Sequence, residues 1–145
     1  MNRGGLMNGR SGEGESGQAL VEFALVVPIF LLLLLGIVEF ARAWNVYEVL
    51  TDAGREGART AVVDDPSTND SLLVKALIQQ AGSRAGIAIA LSDISFPQGF
   101  REGRGSPTTV RIEHEHQLEF LGAFLGLLSG ERTLTMVTEF VMRNE

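Results

Sequence analysis

The chain has 145 residues, 45% of them apolar and 21% charged, which allows one modest domain and argues against a multidomain enzyme. It contains no cysteine, which excludes a disulfide framework, a cysteine zinc site and a thiol nucleophile. Its net charge of -6 is the wrong sign for coating phosphates, so we expect no nucleic-acid partner.

The first element is a polar leader. Residues 1–17 read MNRGGLMNGRSGEGESG, with six glycines and almost no apolar side chains. Such a segment buries too little surface to offset the entropy cost of ordering, so we predict a disordered leader. Arg3 and Arg10 favour keeping this end in the cytoplasm, although basic residues beyond the next element weaken that orientation signal.

A long apolar run follows the leader. Phe23 to Val38 reads FALVVPIFLLLLLGIV without a charge. Extended back to Ala19, the run would span roughly 30 Å as a helix, which matches the hydrocarbon core of a bilayer. A buried core helix is the alternative, but about a hundred remaining residues offer too little surface to cover five consecutive leucines on all sides. We therefore predict a transmembrane helix over residues 18–40.

The apolar run also has an alternative interpretation as a secretory signal. Ala41-Arg42-Ala43 fits the small-residue cleavage pattern, so removal after Ala43 stays open. Against it, the run is longer than the usual apolar core of a signal, about 7–15 residues. The charges of Glu39 and Arg42 also crowd the cleavage position.

Glu22 is the one charge inside the extended run. An ionised carboxylate there costs a few kcal/mol unless it finds a partner or reaches the headgroups, so it is a functional candidate by default. The plain alternative is that its side chain extends to the lipid–water interface, because it lies only about 6 Å along the helix from Gln18.

The residues around Glu22 resemble a known type of processing site. Gly17 to Phe23, GQALVEF, stand directly before the apolar run and resemble the processing site of type IV prepilins. In those proteins a membrane aspartic peptidase cuts after a glycine, and an acidic residue occupies the fifth mature position. The resemblance implies cleavage between Gly17 and Gln18, a prepilin peptidase as partner, and an assembly role for Glu22 beside Phe23.

Cleavage there would have a direct electrostatic consequence. The new amino group on Gln18 would lie four residues from Glu22, on the same helix face. Alternatively, the carboxylate could pair with the amine of a neighbouring subunit, which would compensate its desolvation and fix the axial register of the two helices.

Three blocks narrow the resemblance to the TadE-like family: VEFALVVP at 21–28, GIVEFAR at 36–42 and AGREGAR at 53–59. The similarity covers about residues 17–63. It implies a minor pilin or pseudopilin of a tight-adherence (Tad, Flp) pilus, involved in pilus assembly or adhesion. The implied partners are other pilins or pseudopilins, the pilus assembly platform and the lipid bilayer. The implied location is the bacterial inner membrane, with a single pass, the carboxy-terminal domain outside the cytoplasm, and incorporation into an extracellular pilus as a further option.

The helix is predicted to continue from about Gln18 to Val63 as a stalk, since no strong breaker follows Val38 before Asp64. Pro28 removes one backbone hydrogen bond and favours a bend useful for helix packing. Small residues recur at helical spacing in the outer half, which indicates a strand or helix lying close to the backbone. They are Ala53, Gly54, Gly57, Ala58 and Ala61.

The remainder predicts an α+β fold of pilin-like type, in which the stalk is followed by a second, shorter helix and a small antiparallel sheet of about three strands. Residues 64–70, DDPSTND, lack the ligand spacing of an EF-hand and are interpreted as a connector, with Asn69, Asp70 or Ser71 capping the second helix. The expected strands are 91–96, 110–117 and 133–143. The predicted organisation is thus a removed leader at 1–17, the span at 18–40, and a stalk with an extracytoplasmic domain at 41–145.

Two features of the second half could bind something. His114 and His116 are spaced to share one strand face and are weak metal candidates, but the nearby glutamates fall on the opposite face, so we expect no metal and no cofactor. The apolar segment 118–130 is too short to cross a bilayer. It either covers the sheet or contacts another pilin subunit or the outer membrane leaflet. With no recognisable catalytic motif, we expect the protein not to be an enzyme. An uncleaved single-pass envelope protein that binds a secretion component is the alternative function.

Overall fold

The computed structural model describes residues 11–63, 70–128, 130 and 132–144. The chain divides into two compact units, Met1–Val38 and Glu39–Glu145. One long helix, α1 (Ser11–Val62), contributes residues to both units and continues through Pro28. The predicted α+β class, with its long apolar helix, second helix and three-stranded antiparallel sheet, is confirmed.

Helix α1 begins earlier than the sequence suggests. Its first residue is Ser11, whereas the glycine-rich composition placed the start near Gln18. Extending an existing helix costs far less than nucleating one, so the stable apolar helix can propagate into a poor helix-forming segment. Residues 11–17 are thus helical in this structure, and residues 1–10 of the predicted leader lie outside the described residues.

The apolar part of α1 has no protein covering it within its own unit. Large side chains point outward all around the helix, as shown by Leu20, Leu25 and Ile29, which are all well exposed. None of the most apolar 18-residue window is buried, and within the described residues α1 is the one helix long and apolar enough to cross a membrane. The alternative of a buried core helix does not hold for this chain.

The second unit contains helix α2 (Ser71–Arg84). The helix starts at Asp70, whose carboxylate accepts a hydrogen bond from the Leu72 backbone N–H at 2.8 Å. This satisfies one of the amide groups left unpaired at a helix start. Asp70 is therefore the capping residue among the three candidates, and Asn69 lies outside the described residues.

Three antiparallel strands form the sheet in the order β1-β2-β3. They are β1 (Ile94–Ser95), β2 (Pro107–Gln117) and β3 (Thr133–Arg143). The two long strands pair over their whole length, from Pro107 opposite Arg143 to Gln117 opposite Thr133. A short helix, α3 (Gly122–Leu128), lies in the connection between them.

The first strand is shorter than expected. Residues 91–93 form a turn of 3-10 helix, and only Ile94 and Ser95 pair with β2. The Asp93 carboxylate accepts a hydrogen bond from the Ala90 backbone N–H at 3.3 Å. This local bond competes with strand pairing and turns the chain at this point.

The outer half of α1, one face of α2 and one face of the sheet enclose a single hydrophobic core. Strand β2 contributes Val110 and Ile112 to this core, two positions apart on one face of the strand. The largest fully buried apolar side chains are Leu50, Val74, Ile78, Ile89, Ile94, Val110 and Ile112. Helix α1 thus contributes one face to this core from Ala43 to Ala61.

Arg101 secures the end of α1. Its guanidinium donates to the backbone carbonyls of Ala61 at 2.7 Å and Thr60 at 3.1 Å, and also to that of Val63. The last carbonyls of a helix lack partners within the helix and carry its negative dipole end, so a cation there is doubly favoured.

We expect Arg101→Ala to lower the free energy of unfolding by about 2 kcal/mol, because charge-assisted hydrogen bonds to helix-end carbonyls are lost. Chemical denaturation of the full chain in detergent measures this. The exposed Arg104→Ala is the matched control and should change stability by less than about 0.5 kcal/mol. Equal effects of the two substitutions would contradict the assignment.

Candidate functional site

Gly17, Gln18 and Glu22 lie within two turns of one exposed helical segment. The Gln18 side-chain amide donates to the Glu22 carboxylate, with 3.0 Å between Nε2 and Oε1. The two residues therefore share a helix face, as their spacing predicts. A Cβ placed on Gly17 would meet nothing within 4 Å, so the surroundings of this residue are open.

This geometry defines what the segment can do chemically. A cut between Gly17 and Gln18 would place an ammonium group one helical turn from the Glu22 carboxylate. Glu22 and Phe23 both face outward, with no covering side chains from their own unit. In an apolar environment the carboxylate needs a cation, whether its own new amino group or that of another copy. Whether the bond is cut stays a prediction.

The small-residue stripe of α1 lies in the second unit and is covered by its sheet and by α2. A Cβ on Gly54 would come within 2.8 Å of the Phe140 ring on β3, and a Cβ on Gly57 would collide with Ile78 on α2. Ala53 and Ala58 are almost fully buried beside them. The stripe therefore serves the packing of the domain and presents no binding groove.

We expect Gly57→Ala to lower the free energy of unfolding by about 1–2 kcal/mol. Overpacking against Ile78 typically costs 1–3 kcal/mol, and the better helix propensity of alanine returns at most about 1 kcal/mol. Thermal unfolding of the full chain in detergent measures the change. Gly36→Ala is the control, because a Cβ there meets nothing within 4 Å. A Gly57→Ala variant as stable as the parent would refute the close packing.

Glu39 occupies a position that sequence reasoning missed. Its side chain is buried, with 2% of the residue exposed, and it accepts hydrogen bonds from three consecutive backbone N–H groups. The donors are Glu119 at 3.3 Å, Phe120 at 2.7 Å and Leu121 at 3.4 Å. These groups immediately precede α3, so the carboxylate satisfies amides at the start of that helix.

Two further side chains complete the Glu39 centre. Arg42 lies 3.8 Å from the Glu39 carboxylate and forms a 2.8 Å ion pair with Glu119. The hydrogen bond to Glu119 raises the pKa of Arg42 above its usual value, so the guanidinium stays charged. His116 Nε2 lies 3.7 Å from Glu39 Oε1, and among the described residues it has no hydrogen-bond partner.

The sequence did contain a signal for this centre. Glu39 is the first charge after the apolar run, and Arg42 follows one turn later. In the sequence these charges argue against signal-peptide cleavage and belong to the GIVEFAR block, but neither pattern predicts what they contact. The backbone groups that bind Glu39 lie eighty or more positions further along the chain. At that separation, sequence spacing carries no information about contact.

His114 and His116 do not build a metal site in the described part of the chain. No group of three or more His, Asp or Glu side chains there is arranged to hold a metal ion. His114 instead lies 3.9 Å from Asp93, and His116 faces Glu39. Each histidine thus lies beside a different carboxylate.

Comparison with known proteins identifies the amino-terminal part of the chain. Residues 17–59 match the family model described as TadE-like protein, which confirms the resemblance found in the sequence. The matched residues make up less than half of the chain, so the match shows what this part of the chain is similar to. No curated protein and no solved structure matches the chain.

Proposed function

We propose, from the TadE-like match over residues 17–59, that this chain is a Tad pilus-associated protein, and specifically a minor pilin or pseudopilin. A prepilin peptidase cleaves it after Gly17, and its apolar helix then joins a pilus through Glu22. The observation that carries the proposal is the Gln18–Glu22 pair on one helix face, at the start of both the family match and the exposed apolar surface. The protein is a structural component and not an enzyme.

The proposed location follows from the same helix. The chain crosses the bacterial inner membrane once, with the Glu39–Glu145 unit outside the cytoplasm, and the assembly platform and other pilins are its partners. The apolar surface of α1 has no cover within its unit, so lipid or the apolar helices of other pilins must cover it. Removal after Ala43 is disfavoured, because it would delete Glu39 and the partly buried Ala43 from a packed domain.

An uncleaved single-pass envelope protein is the second candidate. One observation favours it, since the Gly17–Gln18 bond lies inside a regular helix, which a peptidase would have to open before cutting. In that case the chain would bind another secretion component without entering a filament.

We expect the mature protein to begin at Gln18 when it is expressed with its prepilin peptidase, and at Met1 in a strain lacking that enzyme. Amino-terminal sequencing of membrane and sheared pilus fractions measures this directly. An unchanged Met1 in cells that make functional pili would establish the uncleaved protein instead. A sole start at Trp44 would mean release by signal peptidase and would end both proposals.

A further inference from the structure

The Glu39 centre fixes the position of an apolar segment that the proposed function leaves without a role. Residues 118–128 are joined at their base by a 2.9 Å hydrogen bond from Leu118 N to Arg132 O. Their start is held by Glu39, the residue covalently next to Val38, where the apolar run ends. Because these hydrogen bonds are short, the segment begins within a few ångströms of the Glu39 carboxylate.

Two aromatic side chains of this segment are exposed. Among the residues that the structure describes, none of 118–128 belongs to the hydrophobic core. Phe120 is 46% exposed and Phe124 is 43% exposed. The exposed aromatic rings of this segment are therefore available to a contact outside the chain, which is the second of the two predicted roles.

Helix α1 carries two further exposed aromatic side chains in the two turns that follow Glu39. Phe40 is 68% exposed and Trp44 is 53% exposed, and their ring centroids are 6.1 Å apart. Phe40 lies two positions and Trp44 six positions past Val38, so they rise roughly 3 Å and 9 Å beyond the end of the apolar run. The headgroup layer on each side of a bilayer is roughly 5–8 Å thick, so Phe40 falls within it and Trp44 at its outer edge.

The chemistry of these side chains fits that layer. Tryptophan and other amphipathic aromatic rings concentrate at membrane–water interfaces, with the ring against lipid and any polar group toward water. The Trp44 indole N–H donates to the Glu48 carboxylate at 2.8 Å, so its polar edge is satisfied on the side away from the apolar run. Phe120 packs 5.4 Å from the charged Arg42 guanidinium, which keeps a cation beside an apolar ring.

We propose that four residues, here called the membrane-exit aromatics, lie in the lipid headgroup layer and seat the Glu39–Glu145 unit on the bilayer surface. They are Phe40, Trp44, Phe120 and Phe124. The proposal rests on the membrane anchoring of the proposed function, but not on cleavage after Gly17. Its occupant is lipid, because Phe40 and Trp44 lie in the first two turns of α1 after the apolar run. Phe120 and Phe124 belong to the connection whose start is hydrogen-bonded to Glu39, the residue that directly follows that run.

The composition of the chain allows a direct test. Trp44 is the single tryptophan, and the chain contains no cysteine. Full-length protein is reconstituted in vesicles of phosphatidylethanolamine and phosphatidylglycerol that carry a nitroxide either near the headgroup or near the end of the acyl chain. Intrinsic Trp44 fluorescence is read in the unmodified chain. A fluorescent label is then read in Phe124→Cys, Leu33→Cys and Leu77→Cys, after denaturation has shown each variant to be folded.

We expect the shallow nitroxide to quench Trp44 and the label at 124 at least about twofold more than the deep one. The label at 33 should show the reverse order. The label at 77 should show no quenching above that of free solution. Leu77 is a matched control, with 41% exposure close to that of Phe124, and its neighbour Ile78 contacts Gly57. Gly57 lies about 27 Å along α1 from Glu39.

The outcomes distinguish failure of the headgroup contact from failure of the membrane anchor. Quenching at 33 without quenching at 124 or Trp44 overturns this inference and leaves the anchor intact. Absence of quenching at 33 overturns the membrane anchor and the inference together. Energy transfer between labels at 124 on different copies, persisting at high lipid excess, would mean that a second copy covers these residues, which also overturns the lipid assignment.

Discussion

Glu39→Ala is expected to lower the free energy of unfolding of the Glu39–Glu145 unit by about 3–5 kcal/mol, as is typical when one side of a buried charged network is removed. Three backbone N–H groups lose their acceptor at once. Arg42 and His116 also lose the carboxylate they face. Denaturation of the full chain in detergent measures the loss, and faster proteolysis between β2 and β3 should accompany it.

Two variants make the Glu39 test specific. Glu39→Gln keeps an acceptor oxygen and removes the charge, so we expect a loss about half as large. Glu56→Ala changes the same residue type at an exposed position of the same helix and should cost less than about 0.5 kcal/mol. A Glu39→Ala variant no less stable than Glu56→Ala would show that the three hydrogen bonds contribute nothing measurable.

Glu22→Ala is expected to leave membrane insertion intact and to reduce the amount of the protein in sheared pili at least about tenfold. An ion pair in an apolar environment is worth more than the 1.4 kcal/mol that corresponds to this factor. Removing the carboxylate also removes an insertion cost, so the amount in the membrane fraction should be unchanged or higher. Quantitative immunoblots of the two fractions give the ratio.

The Glu22→Gln variant distinguishes the effect of the negative charge from that of side-chain size. Glu22→Gln keeps the size and the hydrogen bonding with Gln18 but cannot pair with an ammonium group, so we expect it to fail like the alanine variant. Glu56→Gln, outside the apolar run, serves as the control with the same chemical change. Normal pilus incorporation of Glu22→Gln would mean that Glu22 only reaches the headgroups.

The sequence predicted those parts of the fold that depend on local pattern. Strand β3 has the predicted bounds, Thr133 to Arg143, because apolar and polar residues alternate along it. Strand β2 begins at Pro107, three residues before the predicted start, since Pro-Thr-Thr is equally typical of a turn. The start of α1 was misplaced because residue preferences do not report how far a stable helix propagates.

In the candidate site, too, the contacts within one helix could be predicted and the contacts between distant residues could not. The Gln18–Glu22 pair could be predicted, because four residues of helix fix the spacing without any tertiary contact. The Glu39 centre could not, because its partners come from a connection between two strands far along the chain. The small residues of α1 predicted that another element packs close to the helix backbone. They did not predict that the contacting side chains are Phe140 and Ile78.

In the proposed pilus, the bonding of Glu39 would also affect how the Glu39–Glu145 unit carries tension. Tension applied through the anchor reaches the Glu39–Glu145 unit at its first residue, and there the chain is already bonded to the connection between β2 and β3. Part of the pull therefore passes into the eleven-residue pairing of two long strands, whose hydrogen bonds act together. A retracting or sheared fibre would thus load the sheet along with the central helix.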